Sequence, residues 1–161
     1  MLDVERSEGP KCAQVNGAIL NFILSTPSIE TVILAGRWAL WSEGTRYKRE
    51  FGNPIFISPA SAGKPVSADN HRALSVGLEQ TIAKLRAAGK QVWLVGQVPE
   101  VGYRVPKSLY VEELLGRTNI DIRPTVAEYK TRQHFVLTLF EKLAKKYSVN
   151  IIWPETGTLR R

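Results

Sequence analysis

The chain has 161 residues, of which 43% are hydrophobic, and it carries a formal net charge of +7. This length suits one domain with a single core, and no apolar run approaches the roughly 18 residues of a membrane span. The charge favours acidic partners, but the basic residues are scattered and no nucleic-acid-reading motif is present, so nucleic-acid binding ranks last. The single cysteine, Cys12, excludes an internal disulfide and a cysteine-rich zinc site.

The first predicted elements are a helix and a strand. The helix runs from about Lys11 to Ser25, and the step from Thr26 to Pro27 ends it. Its apolar face consists of Val15, Ile19, Phe22 and Ile23. The run "VILAG" at residues 32–36 then predicts a parallel strand that is covered on both faces, because it is short, continuous and rich in branched residues.

Two long connections follow the carboxyl ends of predicted strands, at residues 41–68 and 97–123. The first contains "REFGNPIFISP", which predicts a small hairpin around Gly52 and Asn53. The second contains "QVPEVGYRVPKSLY", whose prolines and tyrosines predict a fixed, partly packed loop. Ligands of open α/β sheets bind at this carboxyl edge.

The remaining elements complete an α/β pattern. A helix begins near Asp69 or Asn70 and ends at Gly89, and the strand "VWLVG" follows at residues 92–96. A capping box of Thr125 and Glu128 opens the last helix, before the strand "VNIIW" at residues 149–153. Strands that alternate with helices in this way predict a three-layer α/β/α domain with a parallel sheet.

The strand ends bring together six candidate site residues and, after the last strand, Glu155. The candidates are Gly36, Arg37, Trp38, Trp41, Gln97 and Glu100. In a functional interpretation, Arg37 clamps an anion or donates to an oxyanion, and Trp38 or Trp41 stacks on a sugar or acyl group. In a structural interpretation, Arg37 pairs with Glu100 or Glu155, and both tryptophans pack under the long loops. The sequence leaves both interpretations open.

A catalytic apparatus is hard to assemble from these residues. His71 follows the helix-start residue Asp69, which is typical of a cap, and His134 lies inside the last helix as a surface residue. The sequence contains no G-x-S-x-G elbow, no P-loop, no G-x-G-x-x-G turn and no cluster of metal ligands. We therefore expect no cofactor and no metal.

Four segments together resemble one family. They are "KCAQVNGAILNFI", "TVILAGRWALW", "TIAKLRAAGKQVWLVGQVPEVGYRVP" and "RPTVAEYKTRQHFVLTLFEKLAKKYSVNIIWP". This ordered set resembles the SGNH-type domain fused to acyltransferase-3 membrane proteins, the bacterial O-acetylases of surface glycans. The resemblance spans nearly the whole chain and implies an SGNH-hydrolase, flavodoxin-like fold.

The resemblance also implies residues that this chain lacks. Such a domain takes its nucleophile from a Gly-Asp-Ser motif after the first strand and its base from a C-terminal Asp-x-x-His motif. Neither motif is present, since Ala68 and Thr131 stand three residues before the two histidines. We therefore interpret residues 1–161 as a single, partial SGNH-like domain that lacks the first strand and is catalytically inactive alone.

In many SGNH enzymes this strand ends in Gly-x-Asn-Asp, whose asparagine helps to bind the oxyanion, whereas this chain has Arg37-Trp38 there. The acyltransferase-fused relatives commonly carry an Arg-Trp pair at this place, so the resemblance implies that subgroup and not the usual role of the asparagine. The resemblance implies a parent that acetylates carbohydrate hydroxyls outside the cytoplasmic membrane, tethered through its acyltransferase-3 domain. The N-terminal "MLDVERSEGPK" itself has no features of a secretory signal. The alternative is a stand-alone, non-catalytic α/β module that binds a glycan or a protein through its strand-end loops.

Overall fold

The computed structural model describes residues 1–6, 12–61, 69–116 and 121–154. Its strands are β1 (Val4–Arg6), β2 (Thr31–Leu34), β3 (Ile57–Pro59), β4 (Gln91–Val95) and β5 (Asn150–Ile152). Its helices are α1 (Cys12–Ser25), α2 (Trp38–Glu43), α3 (Asn70–Ala87), α4 (Val105–Leu114) and α5 (Val126–Tyr147). Lys11, Ala68 and Glu155, which the sequence analysis names, lie outside the described residues.

The described strands form two sheets. β2, β4 and β5 are parallel in the order β2-β4-β5, with Val32 opposite Val92 and Leu94 opposite Ile151. β1 and β3 pair antiparallel as a separate two-stranded sheet, with Glu5 opposite Ser58. The parallel sheet with its crossover helices confirms the predicted three-layer α/β/α class.

The core lies where α3 and α5 pack over the parallel sheet. Both helices carry apolar side chains at helical spacing, so each has one apolar stripe; α3 packs on β4, and α5 packs on β5 and on α3. Burial of each large apolar side chain contributes roughly 1.5–3 kcal/mol. Deeply buried members of the core on these helices and β4 include Leu74, Leu78, Ile82, Leu85, Val92, Leu94, Phe140 and Leu143.

The capping box predicted from the sequence marks the start of α5 correctly. The hydroxyl of Thr125 accepts from the backbone N–H of Glu128, and the Glu128 carboxylate accepts from the backbone N–H of Thr125. Both bonds of the predicted capping box are therefore present.

The prediction that the first apolar run is covered on both faces is wrong. Val32 is 8% exposed, but the next residue of β2, Ile33, is 62% exposed. The face bearing Val32 contributes to the core that α3 and α5 cover, whereas the face bearing Ile33 has no such cover among the described residues. Among the described strands, β2 is also the terminal one of its sheet.

Both long connections contain elements that were not predicted. The first holds α2 and β3 instead of a hairpin around Gly52, because residues 57–59 pair with the distant β1 and not with a neighbouring segment. The second holds α4 instead of a loop. Pro106 lies in the first turn of that helix, where the missing proline N–H costs nothing.

An open groove separates β1 from β2, and we call it the strand groove. Val4 and Arg6 of β1 line one side, and Ile33 and Leu34 of β2 line the other, around a volume of about 350 Å³. β1 pairs only with β3 and β2 only with β4 in the described part of the chain, so each has an unpaired edge. The groove runs to Gly36, at the carboxyl end of β2.

Glycine at position 77 keeps β1 close to the helical layer. A Cβ atom there would collide with the side chain of Val4 and would lie 2.9 Å from the carbonyl oxygen of Leu2. The hydroxyl of Thr81 accepts from the backbone N–H of Leu2 at 3.0 Å, one turn further along α3. β1 is therefore fixed against α3 although it does not pair with β2.

Candidate functional site

Arg37 is held by two carboxylates at the carboxyl end of β2. Its Nη1 and Nη2 donate to the two carboxylate oxygens of Glu50, at 2.7 and 2.8 Å. Nη2 also donates to Oε1 of Glu100 at 2.6 Å. This two-pronged geometry is the strong form of an arginine–carboxylate pair, so the charge of Arg37 is already matched within the protein.

Glu100 links this arginine to α5. Its side chain is only 5% exposed, and its second oxygen accepts from Nε of Arg132 at 2.8 Å. Arg132 in turn donates through Nη2 to the carbonyl oxygen of Thr45 at 2.6 Å. These contacts therefore join β2, both strand-end loops and α5. We call the four residues the arginine–glutamate network, which consists of Arg37, Glu50, Glu100 and Arg132.

Trp38 and Gln97 have structural contacts. Trp38 is buried, its Nε1 donates to the carbonyl oxygen of Val95 at 2.8 Å, and its ring packs edge-on against Phe140. Gln97 is buried as well, and its side-chain oxygen accepts from the backbone N–H of Ala39 at 2.8 Å. That N–H lies in the first turn of α2, where Arg37 supplies no side-chain cap, so Gln97 satisfies an otherwise unpaired donor.

Gly36 and Trp41 border the strand groove. Trp41 is half-buried, and the guanidinium of Arg6 lies 5.2 Å from its ring centre. The buried Nε of Arg6 has no hydrogen-bond acceptor among the described residues. Of the six predicted site residues, Arg37 and Glu100 thus join one network, Trp38 and Gln97 anchor its surroundings, and Gly36 and Trp41 face the groove.

Charge pairing shifts the pKa values of the surrounding groups. The pKa of Glu50 lies below its ordinary value of 4.5, first because Arg37 donates hydrogen bonds to it. The pKa of Arg37 is raised, chiefly by the same bonds, so the guanidinium stays charged. Beside the network, a hydrogen bond from Lys48 lowers the pKa of Glu128 to about 2. These carboxylates are ionised at neutral pH and act as acceptors only.

The histidines stay apart from this network. His71 lies 3.2 Å from Glu43 through Nε2, and its ring stacks on Phe135. His134 is exposed on α5. No group of histidine, cysteine and carboxylate side chains among the described residues can hold a metal ion.

Two members of the network were missed from the sequence. Glu50 lies in "RYKRE", a stretch of the scattered basic residues in which no site was predicted. Arg132 lies three residues after Tyr129 and four before Val136, both of which are buried. A cation within the apolar stripe of an amphipathic helix was the available signal, since it needs a buried partner.

Comparison with known families gives one match. A family model described as "SGNH domain (fused to AT3 domains)" matches residues 1–157. No curated protein and no solved structure matches the chain.

Proposed function

Because the chain belongs to the family of SGNH domains fused to AT3 domains, we propose that it is the middle part of a domain that acetylates carbohydrate hydroxyls. In the parent protein, a serine oxygen takes the acetyl group from a donor delivered by the membrane domain. A sugar hydroxyl oxygen then attacks the acyl carbon, and the serine is released. Substrate, donor and reaction belong to the parent and are part of this proposal.

The strand groove is the observation that carries the proposal. Its two walls are unpaired strand edges, and edges of this kind bind an extended segment through main-chain hydrogen bonds. A strand inserted there would join the two sheets into one and would end beside Gly36 and Arg37. A serine at the end of that strand would then lie at the carboxyl edge, where ligands of such sheets bind.

Within this proposal, Arg37 borders the acyl or glycan site, and Trp41 forms part of its wall. Arg37 is a positioning residue, because its guanidinium holds Glu50 and Glu100 and so fixes both strand-end loops. Trp38 and Gln97 fix the helix that begins beside it.

The test uses the parent enzyme with Arg37→Ala, and Arg72→Ala on the exposed face of α3 as the control of equal charge change. We expect the first variant to lower acetyl transfer with the domain still folded, and the second to leave transfer unchanged. Transfer that persists in full in Arg37→Ala, with both variants folded, would refute the role of Arg37.

Location and partner follow from the same proposal. We propose that the domain works outside the cytoplasmic membrane, attached to an AT3 membrane domain that provides the acetyl group. Among the described residues, no helix is both long and apolar enough to cross a bilayer.

A non-catalytic binding module is the second candidate. The internal pairing of Arg37 and Glu100 favours it, because neither group then needs a reacting substrate as partner. In that case the isolated chain unfolds cooperatively and binds a glycan, and Trp41→Ala abolishes the binding. If the parent transfers acetyl groups and loses this activity when its nucleophilic serine is replaced, the chain belongs to an enzyme and not to a binding module.

A further inference from the structure

A second groove lies between α4 and the start of α5, and we call it the α4 groove. Its volume is about 690 Å³, roughly twice that of the strand groove. Five cationic and three acidic side chains line it. The cationic residues are Lys48, Arg49, Arg104, Lys107 and Arg123, and the acidic residues are Glu112, Asp121 and Glu128.

Two of the cations are already paired. Lys48 donates to Glu128 at 2.6 Å, and Arg123 donates to Asp121 at 2.9 Å. The other three are exposed and form no ion pair with the described residues. The backbone N–H of Arg49 donates to the carbonyl of Gly102 at 2.9 Å, and the guanidinium of Arg104 lies 5.2 Å from the ring centre of Phe51. The groove therefore has an excess of positive charge.

Glu112 gives the groove a second, independent feature. It is the only buried residue of α4, at 8% exposure, while apolar neighbours such as Leu109 and Leu114 are exposed. Its Oε1 is buried without a hydrogen-bond donor in the described part of the chain. A buried carboxyl oxygen without a donor is costly, so this group is suited to accept from a ligand.

The two features specify different parts of one ligand. Arg49, Arg104 and Lys107 need an anionic group, whereas Glu112 needs an O–H or N–H donor and repels an anion. Inorganic phosphate satisfies the cations but is repelled as a compact anion by Glu112, and a neutral sugar satisfies Glu112 only. A sugar that carries both a carboxylate and hydroxyl groups satisfies both, and Tyr103 adds an aromatic face in the same wall.

We propose that the α4 groove binds an acidic sugar, with its carboxylate held by Arg49, Arg104 and Lys107 and a hydroxyl group donating to Glu112. The assignment of that sugar as the acetyl acceptor rests on the proposed function, whereas the binding itself does not. The groove adjoins the arginine–glutamate network, because Arg49 lines it and the next residue, Glu50, holds Arg37. An acidic glycan bound here lies beside the edge where acetyl transfer is proposed.

The test is calorimetric titration of the whole chain with tetragalacturonate, maltotetraose and inorganic phosphate, and co-sedimentation with phosphatidylglycerol vesicles. We expect tetragalacturonate to bind with an affinity that falls as salt rises, and the other three probes to bind at least tenfold more weakly. Phosphate or vesicles that bind as tightly as tetragalacturonate would overturn the proposal, as would tight binding of maltotetraose.

Variants then locate the binding. Lys107→Gln should weaken tetragalacturonate binding about tenfold, whereas Lys145→Gln, the same charge change on exposed α5, should not alter it. Glu112→Leu should weaken tetragalacturonate binding but not phosphate binding, and Glu112→Gln serves if the leucine variant fails to fold. If Lys107→Gln and Lys145→Gln weaken tetragalacturonate binding equally, binding depends only on the net charge of the protein, and the site is refuted. Failure of acetyl transfer in the parent would leave this binding result unaffected.

Discussion

The arginine–glutamate network and the α4 groove contain the same types of charged residue. In the network these residues are paired with one another, whereas in the groove several have no partner among the described residues. In the network, the buried carboxylate of Glu100 bridges Arg37 and Arg132, and every charge has a partner within the chain. In the groove, Arg49, Arg104 and Lys107 have no ion-pair partner among the described residues, and Glu112 has a buried oxygen without a donor. Matched charges hold the loops in place, and unmatched charges are free to bind a ligand.

We expect the largest effect on stability when the bridging carboxylate of Glu100 is removed. Glu100→Gln leaves Arg132 largely buried without a counter-charge, and we expect a loss of about 3 kcal/mol in the free energy of unfolding. Urea denaturation measures the loss. Glu113→Gln on the exposed side of α4 is the matched control and should change stability by less than about 0.5 kcal/mol. Equal stability of the two variants would show that the network does not hold the loops.

A second variant tests an uncharged hydrogen bond, the one that Gln97 accepts. Gln97→Met keeps the volume but leaves the backbone N–H of Ala39 without an acceptor, so we expect a loss of about 2 kcal/mol. Gln80→Met, on the exposed surface of α3, should have almost no effect in the same denaturation experiment. An unchanged midpoint for Gln97→Met would mean that α2 does not depend on the hydrogen bond from Ala39 to Gln97.

The pH dependence of Glu50 tests the outer part of the network. Its folded-state pKa lies below the ordinary 4.5, so its contribution is complete above pH 4.5 and is lost as the pH falls through the lowered value. We expect Glu50→Gln to cost about 1 kcal/mol at pH 7. Unfolding measured from pH 7 to pH 2.5 should show this cost shrinking toward zero. A cost that grows toward low pH contradicts the pairing.

The smallest effect is expected in the α4 groove. Lys107→Gln removes a cation that has no partner, so stability should change by less than about 0.5 kcal/mol, although ligand binding weakens. A thermal melt of the unliganded protein checks this. A loss comparable to that of Glu100→Gln would mean that Lys107 is paired in solution and that the contrast between the two regions does not hold.

Local patterns were enough to predict the three main helices and the parallel strands, but the predicted apolar face of α1 is wrong. Val15, Ile19 and Phe22 are more than half exposed, and Leu20 is the buried residue of that helix. The apolar stripes of α3 and α5 and the capping box at Thr125 are signals within a few residues of each other, and the structure follows them. The α/β class follows from the order of these elements alone.

The missed elements depend on distant partners. β1 is only three residues long and gains its pairing from β3, more than 50 positions away. α4 exposes apolar residues and buries Glu112, the reverse of the pattern that reveals a surface helix.

The site was predicted only in part for the same reason. Arg37 and Glu100 were recognisable because they follow strands that end at one edge of the sheet. Of their partners, Glu50 comes from a loop whose position the sequence pattern does not reveal, and Arg132 comes from the predicted helix α5, whose packing against Glu100 was not predicted. Gln97 was predicted at the right edge, but its bond to the Ala39 N–H depends on α2, which was not predicted.

We propose that this chain needs a serine-bearing strand in the strand groove to act as an acetyltransferase. The most direct measurement is transfer of labelled acetyl groups to a glycan by the chain alone and by the protein extended in frame into its flanking coding sequence. The account predicts no transfer by the chain alone, transfer by the extended protein, and loss of that transfer when the serine of its Gly-Asp-Ser motif is replaced by alanine. Acetyl transfer by the chain alone would contradict it, and so would an extended protein that lacks the motif and transfers nothing.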